Sequence, residues 1–118
     1  MTRSRLSTVI QLSPLQKILA LFLPADKAHI QSELALPQYV SMLGTRFHQV
    51  SIEPALWALT LQVNKERWCF LAYLEEHQTG PQYLVCTHGF KKAPGPIPRS
   101  ELVEAVRLYQ LSQQMGGV

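Results

Sequence analysis

Between residues 46 and 87 the chain carries four segments rich in β-branched, aromatic or alternating residues, at 46–50, 56–63, 66–74 and 82–87. The second and third are separated only by Asn64 and Lys65. So short a connection leaves no length for a crossover, which makes these two segments an antiparallel hairpin. A longer link at 77–81 leads to the last segment, and together the three predict an antiparallel meander. Trp57 and Trp68 lie on these strands and read as core, because a small sheet buries its aromatic side chains first.

The flanks of the meander are helical in pattern. Residues 7–12 alternate well enough to form an opening strand. Ser13-Pro14-Leu15-Gln16 then supplies an N-cap, a proline in the first turn and a glutamine three residues on. Leu15, Ile18, Leu19 and Phe22 repeat at helical spacing before Pro24 ends the run. A second helix is predicted over 25–36, with Ala28, Leu34 and Ala35 on it, and Pro37 breaks it. Residues 38–43 add a turn or two before Gly44. Near the other end, 93–98 holds three prolines and reads as a stiff loop leading into a last helix at 98–114, whose Leu102, Val106 and Tyr109 share a face. The order β, α, α, strands, α predicts one α+β domain over residues 1–118, with the two N-terminal helices packed on one side of a twisted antiparallel sheet.

Composition narrows the class. With 47% hydrophobic and 16% charged residues in 118, the chain is too apolar for disorder, and its longest apolar run, 18–23, is far short of the roughly 20 residues of a membrane span. No export signal opens it, and no membrane association is expected. Cys69 and Cys86 sit inside apolar strand-like runs without ligand spacing and read as reduced core thiols, which fits a cytoplasmic address. His29, His48, His77 and His88 are scattered, and no glycine-rich phosphate loop or hydrolase turn occurs, so neither a metal nor a cofactor is expected.

Charge is the remaining signal. The net charge is only +3, but residues 88–99 hold His88, Lys91, Lys92 and Arg99 with no acid, and Glu75-Glu76 is the only acidic doublet. Arg46 and His48, two apart on a short strand, share one side and can extend the same basic surface. Such a patch suits a polyanion.

The segment His88-Gly89-Phe90-Lys91-Lys92 follows a buried-type strand and precedes a proline loop and a helix opened by Pro98-Arg99. This combination resembles the HigB-like, phage-related branch of the RelE/ParE toxin superfamily. Leu56-Trp57-Ala58-Leu59 resembles that branch's Leu-Trp-Glu-Leu-Arg strand, and Leu23-Pro24-Ala25-Asp26-Lys27 its interhelical turn. The resemblance covers residues 20–112. It implies a RelE-like domain, a toxin of a toxin–antitoxin system that cleaves translated mRNA in the ribosomal A site without a metal, and a neighbouring helix-turn-helix antitoxin as inhibitor. It implies His88, Lys91, Lys92 and Arg67 as catalytic residues, with Arg46, His48 and Arg99 contacting RNA. Such a reaction needs a base for the 2′-hydroxyl, cations for the phosphorane and an acid for the leaving oxygen. The chain departs from the pattern at Ala58 and Thr60, which stand where the branch has glutamate and arginine, and either Arg67 or Cys69 occupies the position of a second arginine. A binding module that inhibits a topoisomerase, a ribosome or an RNA without cutting is therefore the alternative expectation.

Overall fold

The computed structural model describes residues 7–35, 47–51, 56–75 and 82–114. In chain order the elements are β1 (Ser7–Gln11), α1 (Ser13–Leu19), α2 (Pro24–Ala35), β2 (Phe47–Ser51), β3 (Leu56–Val63), β4 (Glu66–Glu75), β5 (Gln82–Lys91) and α3 (Arg99–Gln114). The meander forms as expected: β3, β4 and β5 pair antiparallel in sequence order, and β2 pairs antiparallel with β3. Asn64 and Lys65 both take positive φ, 52° and 67°. Two successive left-handed residues turn the chain with the twist that a two-residue hairpin requires.

The sheet is mixed rather than wholly antiparallel. Its order is β1-β5-β4-β3-β2, with β1 running parallel to β5 from Ser7 opposite Gln82 to Gln11 opposite Cys86. The physical reason is the chain path. Helices α1 and α2 separate β1 from the opposite edge, and the three reversals from β2 to β5 return the chain beside β1 in β1's own direction. Periodicity within β1 carries no information about which edge it joins.

Period-two alternation divides the core into two layers. Leu59, Leu61, Val63, Phe70, Ala72, Leu84 and Cys86 face Leu15 and Leu19 of α1 and Ile30 and Leu34 of α2, with Trp57 and Trp68 packed against this layer. Leu56, Ala58, Cys69, Leu71, Tyr73 and Val85 face the other way, where Ala105, Leu102, Val106 and Tyr109 of α3 cover them. The central strands are buried on both faces, which explains why β3 and β4 are near-continuous in apolar character.

Local details depart from expectation. Ser13 is the first helical residue, Leu12 is the N-cap without a side-chain cap bond, and the Gln16 amide donates instead to the Gln11 carbonyl at 2.9 Å. Pro24 opens α2 rather than merely ending the run before it, as a residue with no N–H suits a first turn. The buried positions of α2 are Ile30 and Leu34, and Ala28 is exposed. The Pro37 break and the helical turn at 38–43 lie outside the described residues. Strand β5 extends through Lys91, so His88 to Lys91 belong to the sheet rather than to a loop beyond it. Among the described residues, no helix is long and apolar enough to cross a membrane.

Candidate nucleic-acid interface

Helix α3 covers β4 and β5 and, among the described residues, leaves part of its own sheet face open toward β3 and β2. A cleft of about 570 Å³ lies there, lined by Val50, Thr60, Arg67, Lys92, Gly95, Pro96, Ile97 and Leu102. A second, of about 470 Å³, is lined by Gln62, Lys65, Arg67, Lys92 and Pro94. Arg67 and Lys92 border both, so the two form one groove. Among the described residues, the lining holds three cations and no carboxylate.

Each cation is placed by its strand. The Lys92 amide donates to the Arg67 carbonyl at 2.8 Å, which continues the β4–β5 ladder one rung past its last paired strand residues. Directly opposed residues share a face, so both side chains reach the groove. Lys65 enters from the positive-φ turn, and that turn is tied to α2 by the Asn64 amide, which donates to Asp26 at 2.8 Å. Sequence reasoning passed over Lys65 as a turn residue. The two-residue hairpin was its one visible signal, because a turn between β3 and β4 falls at the same end of the sheet as Arg67. The Lys92 ammonium donates to the carbonyls of Ala93, at 3.2 Å, and Gly95.

Lys91 is separated from this group. It stands opposite Trp68, whose face looks toward α1 and α2, and its ammonium pairs with Glu66 at 3.0 Å. Consecutive strand residues point to opposite faces, so Lys91 and Lys92 cannot grip one phosphate together. The exposed pair with Glu66 contributes roughly 0–1 kcal/mol. Both tryptophans lie on the α1/α2 side, with Phe22 edge-on to Trp68 at 4.9 Å, away from the groove.

His88 faces α3 and is enclosed, at 7% exposure. A register shift between Leu71 and Ala72 leaves Thr87 as an extra residue in β5, a bulge that sets the alternation so that His88 stands opposite Leu71. The Thr87 hydroxyl donates to the Leu71 carbonyl at 3.3 Å and lies 3.1 Å from His88 Nδ1, while Nε2 lies 2.9 Å from Oε1 of Glu101. Nε2 donates to the carboxylate, and Nδ1 meets the Thr87 hydroxyl. Both ring nitrogens are then occupied. The histidine fastens the first turn of α3 to the sheet, and it has no face left for a substrate in the groove. At the other end of α3 the Tyr109 hydroxyl donates to Glu75, as does the Gln113 amide at 3.0 Å. Burial, followed by that bond to Glu75, holds the Tyr109 phenol above its ordinary range.

Thr60 is half-buried at the groove and stands opposite Cys69. Burial pushes the Cys69 thiol up to about 11, against the lowering effect of Lys92 and of a hydrogen bond with Thr60. Arg99 is exposed at the start of α3 and lines neither cleft. His48 lies in β2 in register with Ala58, and Arg46 falls outside the described residues. Among the described residues no cluster of histidine, cysteine and carboxylate side chains can hold a metal ion. Compared with known proteins, the chain matches no family model and no curated relative.

Proposed function

We propose that the protein is a toxin-type RNA-binding module of the RelE/ParE kind, on the HigB-like branch, that engages mRNA on the ribosome and is restrained by a helix-turn-helix antitoxin. The observation that carries the RNA assignment is the groove itself, where Arg67, Lys92 and Lys65 converge and no described carboxylate lines the wall. Cations along a groove neutralise the phosphates of a flexible phosphodiester chain. Support for the family comes from the His88-Gly89-Phe90-Lys91-Lys92 segment and from a sheet flanked by α1 and α2 on one face and α3 on the other. The enclosure of His88 favours inhibition by occupancy over acid–base chemistry at that residue.

Cleavage without a metal is the second reading, favoured by the three clustered cations, which suit the added charge of a phosphorane. Its proton transfers then fall to groups other than His88. Titration of a short single-stranded RNA into the protein over a range of salt tests binding. Affinity that is absent, or that does not fall with salt, overturns the proposal. Mapping of mRNA 5′ ends after induced expression separates the two readings, since new ends inside translated frames establish cutting.

A further inference from the structure

The loop after β5 is Ala93-Pro94-Gly95-Pro96-Ile97-Pro98. Three of its six residues have no N–H and hold φ near −65°, so few of the loop's carbonyls can be paired within it. Gly95 is the one position between Pro94 and Pro96 with freedom to turn, and it takes φ 104°, a conformation that L side chains rarely adopt. The Gly95 carbonyl accepts from the Lys92 ammonium, and Ala93 supplies a second carbonyl at 3.2 Å. An ammonium has three donors. Two are committed to the loop, and one remains for the groove that Lys92 lines.

We infer that Gly95 is a positioning residue for the groove: its left-handed backbone presents the carbonyl that fixes Lys92, converting a flexible lysine into a directed, single-bond contact for one phosphate oxygen of the RNA. The inference rests on the RNA reading for the ligand but not for the Lys92–Gly95 contact. It accounts for the glycine on grounds other than space, because a Cβ at Gly95 meets nothing within 4 Å. The same contact holds Pro96 and Ile97, which wall the larger cleft, beside the charge. Ordering the side chain before binding lowers the entropy cost of engaging the ligand.

Chirality gives the test. Gly95→Ala and a D-alanine variant at the same position, assembled in the full chain by ligation at Cys86, add the same methyl group and differ only in the sign of φ they favour. Two quantities are read: the rate at which an amine-acylating reagent modifies Lys92, by mass spectrometry with exposed Lys17 as internal reference, and affinity for a 12-nucleotide oligouridylate. In the wild type and the D-alanine protein, Lys92 is expected to react more slowly than Lys17. In Gly95→Ala, Lys92 acylation is expected to rise, and RNA affinity to fall, by about five- to tenfold. Equal behaviour of the two alanine enantiomers, or wild-type Lys92 that reacts as fast as Lys17, overturns the inference. If the acylation pattern holds while the wild type ignores the oligonucleotide, the positioning contact stands as a structural role and both its RNA ligand and the proposed function fall.

Discussion

The amide of Lys92 and the carbonyl of Arg67 meet at 2.8 Å, and this rung of the β4–β5 ladder makes neighbours of two cations far apart in sequence. One residue earlier, Lys91 faces the opposite side and pairs with Glu66. The adjacent lysines are therefore expected to separate in function. Arg67→Ala, Lys92→Ala and Lys65→Ala should each weaken single-stranded RNA binding and flatten the dependence of log affinity on log salt by about 0.7. Lys91→Ala should leave that slope unchanged. A Lys91 effect equal to that of Lys92 would place the ligand elsewhere.

The enclosure of His88 makes its substitution a stability experiment. Removing the ring takes from Glu101 its bond to the sheet beneath α3, so His88→Ala should cost about 1–3 kcal/mol in urea denaturation. Glu101→Ala breaks the same contact. In the double mutant the two losses should fall short of additive by about 1 kcal/mol or more. Additive losses would show that the two side chains do not interact in solution. RNA affinity, measured where all variants are folded, should change far less than on loss of Arg67.

The meander could be read from the sequence because alternating segments joined by Asn64-Lys65 admit one pairing, and α1 and α3 could be read because Leu15 and Leu19, or Leu102 and Val106, recur at helical spacing. The parallel partner of β1 could not, since a strand's side-chain pattern fixes its faces and not its neighbour. The site divides in the same way. Arg67 was visible as a cation on a strand and Lys92 as one following a strand, but their shared face depends on register. The bulge at Thr87 carries no composition signal, yet it sets the alternation around His88. Counting by two from Cys86 places His88 on the α1/α2 face. The extra residue puts it against Glu101 instead. The most specific sequence motif thus contributes His88 to a helix clasp, Lys91 to the other face and only Lys92 to the groove.

Cys69 and Cys86 belong to opposite layers of the core, so no disulfide can join them without dismantling the sheet. Burial pushes the Cys69 thiol up to about 11 and the Cys86 thiol up to about 12, from an ordinary 9.0. Neither should react with a thiol reagent at pH 8 until the protein unfolds. The sign of the pH effect follows, since unfolded thiols ionise near 9 while the folded ones keep their protons. The stabilisation is complete below pH 9 and is lost as pH rises through 11 to 12. Urea midpoints should therefore fall between pH 9 and 10.5, and fall less steeply in Cys86→Ala. Rapid labelling of both thiols in the native protein at pH 8 would contradict the assigned burial.

Gly89 is required by its neighbour rather than by backbone conformation. It lies opposite Phe70 on β4, and a Cβ there would meet the Phe70 ring at 2.4 and 2.5 Å, distances no real Cβ contact sustains. Phe70 is itself fully buried in the α1/α2 layer and stacks at 6.4 Å on Trp68, so the ring has little room to withdraw. Gly89→Ala should destabilise the fold by about 1–3 kcal/mol through overpacking. Phe70→Leu, which removes the offending ring atoms, should cost stability alone because of the cavity it opens. Combined with Gly89→Ala it should cost less than the sum, because the new methyl occupies space the ring has vacated. Strict additivity in thermal or urea melts would show that the two sites do not touch. A Gly89→Ala protein as stable as the wild type would show that this part of the sheet relaxes, and the glycine in the motif would then need a reason other than Phe70.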